Sequence, residues 1–433
     1  MFVRSDIKSI ELEIFMSPKS ISPVESFSSD RKLRLGHFIT HPIQYFAPLY
    51  RRLAQEPDID LTVVFSSDLS VRKQGYTDSG FGVEVKWDVP LLDGYNYEFL
   101  PVLRNSDQIG FAKPLNRGVE RTIRNHHFHA LWLHGYSTLT NLRAACTARS
   151  LHIPAFIHTD SSRYNRSPAK LLVKRAFFYW LRPKLSGVLA IGKNSTDYWR
   201  YNMGPDFPIF PYPYAVDNDL FQQRCCAASP HREQFRQSLG LKPGRPVILF
   251  AAKFIARKRA IDLIAAYIKN WREGVQPAPY LLLIGDGPER DVLKRMVSEA
   301  NCPDIRFLGF RNQSELPAFY DLCDVFVLAS VNEPWGLAIN EAMNAGRAVI
   351  VSEQVGCQPD LVEDGVNGAV VQATQIDSLA AGLRRVLSSE EVWERMGESS
   401  LRKIADYSFE QDIAGIRKAL EATVPGFHAQ RKE

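Results

Sequence analysis

Short apolar runs with the length of strands recur along the chain, and stretches with helical periodicity such as TNLRAACTARSL and KNSTDYWRYN lie between them. The strand candidates are LRLGHFI (33–39), LTVVF (61–65), ALWL (130–133), PAFIH (154–158), GVLAI (187–191), VILFAA (247–252), YLLLIG (280–285), IRFLGF (305–310), VFVLAS (325–330) and AVIVS (348–352). Strand–helix alternation of this kind predicts the α/β class, with parallel sheets and helices on both faces.

A proline-dense segment, PIFPYPYAVDNDLF (208–221), interrupts the alternation near the middle of the chain. The pattern therefore predicts two doubly wound domains, residues 33–215 and 216–405. Residues 1–32 end in a stretch rich in Ser and Pro and are expected to form a disordered extension. Ligands of doubly wound folds bind beyond the carboxyl ends of the strands, so we expect the chemistry in a cleft between the domains.

The composition is that of an ordinary globular protein. The 433 residues are 45% hydrophobic and 23% charged, with a net charge of +5. This charge suits an anionic ligand or a membrane surface, whereas nucleic-acid binding would call for a denser basic stripe. The six cysteines form no CxxC pair and no zinc spacing, so we expect reduced and mostly buried thiols. The amino-terminal residues lack the apolar run of a signal peptide, and no apolar stretch approaches the ~18 residues of a membrane span. We therefore expect a cytoplasmic protein, attached to a membrane at most from outside.

Candidate anion-binding groups follow the strands of the second domain. Lys253 comes directly after VILFAA, and Lys258 lies where the next helix opens, so two ammonium groups meet a helix amino terminus. Solvated surface lysines explain the pair about as well. Gly285 opens the turn GDGP, which is a weak phosphate signal, and the backbone of Phe310 at a strand end could bind a base edge.

The stretch EPWGLAINE places two carboxylates eight positions apart at the end of a strand. Pro334 and Gly336 exclude helix through Glu333, which puts Glu333 on a loop, and a helix beginning near Leu337 puts Glu341 one turn inside it. Carboxylates accept paired hydrogen bonds from vicinal hydroxyls, and the N–H groups at the helix start favour an anion. A nucleoside diphosphate sugar has this order of ribose diol, diphosphate and sugar diol. Either glutamate alone could equally be a charge at a helix entry.

With these motifs the second half resembles the nucleotide-binding domain of retaining glycosyltransferases of the GT-B fold, family 4 (group 1). EPWGLAINE corresponds to the E-x7-E element, with Trp335 where relatives usually have Phe, and AKFIARKR corresponds to G-R-x4-K-G. GDGP, FLGF and PYAVDNDLF also fit, and the resemblance covers residues 33 to 422. Two departures are Arg347, which replaces a usual proline, and GCQPD (356–360), which replaces a G-G-x-x-E run.

The resemblance implies two Rossmann-like domains that face a cleft, with a final helix (406–425) crossing back to the first domain. It implies that Glu333 binds the transferred sugar and that Glu341 binds the ribose. Lys253 and Lys258 would neutralise the leaving diphosphate. Main-chain groups around Trp335, Gly336 and Leu337, with Gly285 and Phe310, would complete the donor site.

In the first domain the resemblance points to His134, because related enzymes keep a histidine near the donor sugar at such a strand end. An isolated histidine can also be structural. Relatives often carry paired glycines after the first strand, where this chain has His41 and Pro42. Because Pro42 offers no N–H, the glycine-loop role is not expected here, and His41, Gln44 and Tyr45 are predicted acceptor contacts instead.

Residues 163–184 interleave basic and aromatic residues, which suits a helix lying on anionic lipid. A packed helix with a solvated cationic face explains the same pattern. Asp58-Ile-Asp60 is formally a metal-binding DxD, but it opens a strand at the end away from the expected cleft. We therefore expect no metal and no cofactor.

We interpret the sequence as a retaining glycosyltransferase that transfers a sugar from a UDP- or GDP-linked donor to a glycan or lipid-linked acceptor hydroxyl. Polysaccharide, lipopolysaccharide or glycolipid synthesis is the expected setting. An epimerase or phosphorylase of the same fold and a non-catalytic sugar-binding protein are the alternatives. A Rossmann oxidoreductase would need G-x-G-x-x-G after the first strand, where the chain reads HFITHPIQ.

Overall fold

The computed structural model describes residues 32–428 except 73–75, 79–82, 86, 105, 107, 161–167 and 272–277. The predicted disordered extension therefore lies outside the described residues, apart from Lys32. In the first half the strands are β1 (Leu33–Ile39), β2 (Ile59–Phe65), β3 (Tyr76–Asp78), β4 (Val83–Val85), β5 (Asn96–Phe99), β6 (Val102–Arg104), β7 (Leu115–Asn116), β8 (Ala130–His134), β9 (Ala155–His158), β10 (Gly187–Ala190) and β11 (Ile209–Pro211). In the second half they are β12 (Val247–Ala251), β13 (Tyr280–Ile284), β14 (Ile305–Gly309), β15 (Val325–Leu328), β16 (Ala348–Ser352) and β17 (Gly368–Val371).

Helices connect these strands and cover both faces of the sheets. They are α1 (Phe46–Ala54), α2 (Val119–Asn125), α3 (Leu139–Ser150), α4 (Pro168–Leu181), α5 (Lys193–Met203), α6 (Asn218–Ala228), α7 (Arg232–Ser238), α8 (Ala260–Trp271), α9 (Arg290–Glu299), α10 (Leu316–Leu322), α11 (Leu337–Asn344), α12 (Gln358–Leu361), α13 (Ile376–Val386), α14 (Glu390–Ile404) and α15 (Phe409–Thr423).

Two parallel sheets form the two Rossmann-like domains. The first has seven strands in the order β11-β10-β9-β8-β1-β2-β5, and the second has six in the order β14-β13-β12-β15-β16-β17. Every neighbouring pair within both sheets is parallel. The strand order reverses between β1 and β8 in the first sheet and between β12 and β15 in the second, and crevices open at such points.

All ten predicted strands are present, which confirms the α/β prediction. The central strands are buried on both faces, as the continuous apolar runs of parallel sheets require. The edge strands β5, β11 and β17 escaped prediction. β5 has an exposed and polar sequence, NYEF, and β11 ends in a proline, which a sheet tolerates at its edge.

The six cysteines are free, as expected. Cys225, Cys323 and Cys357 are buried, but the expectation of burial is wrong for Cys146 and Cys226, which are exposed.

The basic and aromatic segment predicted at 163–184 forms helix α4 from Pro168 onward, while residues 161–167 lie outside the described residues. Within the described part of the chain, no helix has the length and hydrophobicity needed to cross a bilayer.

Helix α15 begins at a capping box formed by Ser408 and Gln411. It packs on β10, β11 and α1 of the first domain. Gly415 allows a close approach to β11, because a Cβ atom there would lie 1.8 Å from the carbonyl oxygen of Pro211. The end of the chain is thereby held against the first sheet.

Arg417 of α15 contacts two carboxylates at the edge of the first domain. Its Nη1 atom lies 2.6 Å from Oδ2 of Asp58, and its Nη2 atom donates to Glu56. Glu56 and Asp58 are only 2% and 7% exposed. Asp58, the first acid of the DxD sequence, therefore has an arginine partner that ties the final helix to β2.

We expect Arg417→Met to lower the free energy of unfolding by about 3 kcal/mol, because buried Asp58 loses its arginine partner and buried Glu56 keeps only Arg52. Methionine keeps most of the packed stem, so the measurement isolates the charge. Urea unfolding followed by circular dichroism measures the change.

The matched control is Arg402→Met. Arg402 pairs with Glu398 at 3.8 Å, but both side chains are about 70% exposed (69% and 72%), so the loss should stay within about 0.5 kcal/mol. Equal effects of the two substitutions would contradict the role assigned to Arg417.

Candidate active site

A cavity of about 620 Å³ lies where the carboxyl ends of the two sheets meet. Its walls come from the loops after β1, β9, β12, β13, β14 and β15 and from the first turns of α11. The volume is in the range of pockets that hold small-molecule ligands. The loops after β1, β12 and β15, which lie beside the two reversal points of strand order, all contribute to this one space.

Twelve of the thirteen predicted site residues line this cavity. They are His41, Gln44 and Tyr45 from the first domain and Lys253, Lys258, Gly285, Phe310, Glu333, Trp335, Gly336, Leu337 and Glu341 from the second. Positions up to 300 residues apart in sequence are thus brought to one surface. Their individual roles remain predictions.

Glu333 is the acidic centre of the second-domain wall. It is 6% exposed, and its Oε2 atom lies 2.6 Å from Nζ of Lys258 and 3.1 Å from Nη1 of Arg257. Burial lowers the pKa of Lys258, and the Glu333 carboxylate opposes this shift. Two cations against one carboxylate leave local positive charge, to which Lys253 adds on the same wall.

The loop that carries Glu333 depends on Gly336. Gly336 has a φ of +100°, and a Cβ atom there would meet Leu328 at 3.0 Å and Val355 at 3.1 Å. Only glycine adopts this conformation readily in so little space. The turn fixes Glu333 on the loop and starts α11 at Leu337, as the sequence predicts.

The amino terminus of α11 opens into the cavity. Gly336 is its N-cap, no side chain caps it among the described residues, and Gly336, Leu337 and Ala338 line the cavity wall. The first N–H groups of a helix have no intrahelical partner, and the helix dipole makes this end positive. The arrangement can therefore bind an anion between Glu333 and Glu341.

Helix α8 begins at Ala260, two residues later than predicted, because Ala256–Lys258 form a 3₁₀ turn. Arg259 follows in the left-handed region with a φ of 54°, and its guanidinium pairs with Asp262 at 2.7 Å. This turn directs Lys258 at Glu333 and away from solvent.

Glu341 lies one turn inside α11 and is 1% exposed. Its Oε2 atom accepts a hydrogen bond from the Tyr320 hydroxyl at 2.7 Å. Burial raises the pKa of Glu341 to about 7, while the Tyr320 and Tyr45 hydroxyls oppose the shift. A buried carboxylate near its titration point is costly to the fold, which is typical of a group kept for binding.

His134 is the predicted site residue that does not line the cavity. It lies behind the wall, with its ring 5.0 Å from the ring of Phe46 and 4.3 Å from that of His158. Burial lowers the pKa of His134 to about 3, and the pKa of His158 is also well below its usual range. Both rings are therefore neutral near pH 7.

Asp160 lines the cavity and also lies close to these two histidines. Potential ligand atoms of His134, His158 and Asp160 lie within 4.8 Å of one another, which is a candidate metal group. However, the Trp132 indole N–H donates to Nδ1 of His158 at 3.3 Å, so the neutral ring carries its proton on Nε2 and offers no lone pair there. The buried, unpaired Nε2 of His158 and Oδ1 of Asp160 fit a bound water or hydroxyl better than a metal.

Three further residues, Asp160, Tyr214 and Arg257, line the cavity but were not predicted from the sequence. Burial raises the pKa of Asp160 to about 6, and a hydrogen bond from Tyr214 opposes this. Asp160 follows a predicted strand by two residues and Arg257 lies inside AKFIARKR, so strand-end position was a usable signal for both. Tyr214 comes from the linker, and only the tertiary structure brings it here.

The arrangement of two Rossmann-like domains facing a cleft is shared with solved GT-B glycosyltransferases. The HepE protein of Anabaena, solved with UDP and glucose, superposes with a TM-score of 0.67 at 17% identity, covering 90% of this chain and 100% of that one. At this identity the likeness shows the fold.

Residues 231–403 match the family model described as Glycosyl transferases group 1. An uncharacterized glycosyltransferase of Methanocaldococcus jannaschii is 36% identical over 155 residues, which are 36% of this chain and 39% of that protein. Alpha-D-kanosaminyltransferase of Streptomyces kanamyceticus is 27% identical over 287 residues, covering 63% of this chain and 72% of that protein. The sequence relatives are thus glycosyltransferases, and the first of them is matched over less than half of its length.

We expect Glu341→Gln to stabilise the unliganded protein at pH 8 by about 3 kcal/mol. The folded carboxyl has a pKa of about 7 against an ordinary value of 4.5, so the unfolded state loses its proton first as pH rises. The free energy of unfolding of the wild type therefore falls between about pH 4.5 and 7 relative to the variant. Urea unfolding at a series of pH values measures the difference.

Glu398→Gln is the control, since Glu398 is 72% exposed and its substitution should change the free energy of unfolding little. A Glu341→Gln protein that is less stable than the wild type at pH 8 and equal to it at pH 5 would contradict the assigned titration.

Proposed function

We propose that this chain is a retaining glycosyltransferase of family 4 that transfers a sugar from a UDP- or GDP-linked donor to an acceptor hydroxyl. The observation that carries the proposal is the pair of buried carboxylates, Glu333 and Glu341, on either side of an uncapped helix amino terminus. Two diols flank the diphosphate of a nucleotide sugar in the same order. The UDP and glucose in the HepE structure support a donor of this type.

The donor would bind with its ribose at Glu341 and its transferred sugar at Glu333. Lys253, Lys258 and Arg257 would surround the diphosphate together with the N–H groups at the start of α11. A single carboxylate among three cations leaves net positive charge for the two negative charges of the leaving group. Such charges are fixed before the reaction, so stabilising the departing diphosphate requires little reorganisation.

The acceptor would enter from the first-domain wall, where His41, Gln44 and Tyr45 lie. Asp160 adds a buried carboxylate that can accept a hydrogen bond from a substrate hydroxyl, held in place by Tyr214. Binding both substrates in one cavity aligns the acceptor oxygen with the anomeric carbon.

The transfer would follow a front-side path. The acceptor oxygen forms its bond to the anomeric carbon on the face from which the diphosphate oxygen departs, and the acceptor proton passes to that departing oxygen. Glu333 is a poor nucleophile, because Lys258 and Arg257 engage its Oε2 atom. These cations would replace a metal at the diphosphate, so we propose a reaction without metal or cofactor. We also propose that the acceptor is a glycan or a lipid-linked molecule, as in polysaccharide, lipopolysaccharide or glycolipid synthesis. The reaction would take place at a membrane surface.

The deciding experiment starts from a thermal-shift screen of nucleoside diphosphate sugars, since a bound donor raises the melting temperature. With the donor found, we expect a product of retained anomeric configuration by NMR, formed equally well in excess chelator. An inverted linkage would overturn the retaining assignment. Activity that chelator abolishes and magnesium or manganese restores would overturn the role given to the lysines.

We expect Lys258→Ala to lower kcat by about 100-fold, the scale for losing one preorganised transition-state contact. The fold should persist, because Arg257 still pairs with Glu333. Steady-state kinetics with the identified donor measure the change. Lys269→Ala, which removes a half-exposed lysine paired with Asp377 on the outer surface, should leave kcat unchanged. Normal turnover of Lys258→Ala would rule out this site.

A further inference from the structure

Helix α4 has two apolar faces, and one of them faces solvent. Phe178 and Leu181 are 1% and 0% exposed and pack in the core of the first domain. Exposed apolar residues occupy another side of the helix, namely Leu172 (72%), Val173 (72%), Ala176, Tyr179 (86%) and Trp180 (42%). At 100° per residue these five positions fall within an arc of about 120°. We call them the outer face of α4.

The net charge of the chain is concentrated on this helix and on the 3₁₀ turn Arg182–Lys184 that follows it. Residues 168–184 contain five Lys or Arg and no Asp or Glu, while the whole chain has a net charge of +5. The rest of the chain is therefore balanced. An apolar face within an acid-free basic segment is complementary to an anionic surface with an apolar interior.

Cations and aromatic rings are interleaved at the edge of the outer face. Nζ of Lys184 lies 3.9 Å from the centre of the Trp180 ring, and Arg175 is exposed beside the face. Tryptophan and tyrosine favour the boundary between headgroups and acyl chains, and lysine and arginine favour anionic headgroups. Two copies of this chain meeting through the same face would bring like charges together, which disfavours a symmetric dimer.

We propose that the outer face of α4 is a docking surface for an anionic lipid bilayer, with Leu172, Tyr179 and Trp180 inserted at the headgroup boundary. The binding does not require the proposed reaction and can be tested without a donor. The position of the outer face nevertheless suits the proposed reaction. Pro168 follows Asp160 of the cavity by eight residues, so the helix begins at most about 28 Å from the cavity wall.

The test is cosedimentation of the full chain with vesicles of phosphatidylcholine alone or mixed with phosphatidylglycerol. We expect binding to the anionic vesicles that weakens in 0.5 M NaCl, where charges are screened within about 5 Å. Leu172→Ser combined with Tyr179→Ser should weaken binding about tenfold or more, because both side chains lose the transfer free energy of burial. Arg175→Glu should weaken it about tenfold by reversing one surface charge.

Matched controls lie on the second domain. Val292 and Leu401 are exposed apolar residues (50% and 41%), and Val292→Ser with Leu401→Ser should bind like the wild type. Arg295→Glu is the control for charge, since Arg295 is also exposed on a helix. Melting temperatures identify any variant that fails to fold.

Three outcomes would overturn the proposal. They are no binding to anionic vesicles, equal binding to neutral vesicles, and equal losses in the outer-face and control variants. Size-exclusion chromatography with light scattering tests the alternative that a second copy of the chain, and not a bilayer, occupies the outer face. A dimer that Leu172→Ser with Tyr179→Ser dissociates would assign the outer face to a second copy of the chain instead.

Discussion

The loops that carry the predicted site residues follow the carboxyl ends of parallel strands, and the arrangement of the site depends on this constraint. Parallel strands deliver all their outgoing loops to one edge of the sheet. Because the two domains turn these edges toward each other, His41 after β1 meets Lys253 after β12 and Glu333 after β15 in one cavity. Side-chain chemistry then decides what that cavity can bind.

The cavity holds charges that a folded protein would otherwise avoid. Glu333 is neutralised by Lys258 and Arg257, so its burial is compensated. Among the residues that the structure describes, the phenolic hydroxyls of Tyr320 and Tyr45 oppose the effect of burial on Glu341, and its pKa of about 7 reflects this incomplete compensation. Burial of this carboxylate lowers the stability of the unliganded protein, and hydrogen bonds from ligand hydroxyl groups would offset that loss. Under the proposed function, stability and binding are therefore opposed at Glu341.

The two domains are held by polar contacts that the family resemblance does not anticipate. Asp360 lies in segment 356–360, where the sequence differs from the family pattern. It accepts hydrogen bonds from the backbone N–H of Lys193 at 3.1 Å and so caps helix α5 of the other domain. Gly356 permits this arrangement, since a Cβ atom there would lie 1.9 Å from the carbonyl oxygen of Pro334. Segment 356–360, where the sequence differs from the family pattern, therefore contributes a contact between the two domains.

The sequence by itself determined the α/β class, the ten main strands and the loop position of Glu333. Apolar runs, proline and glycine act locally, so their effects can be predicted without knowing the fold. Strand-end position and charge, together with the family resemblance, also supplied twelve of the residues that line the cavity. Only the tertiary structure decided that Asp160 and Tyr214 join them and that His134 lies behind the wall. It also decided that Asp58 pairs with Arg417, which is 359 residues away. Such contacts depend on how distant segments pack, and no local pattern encodes the burial that sets their energies and pKa values.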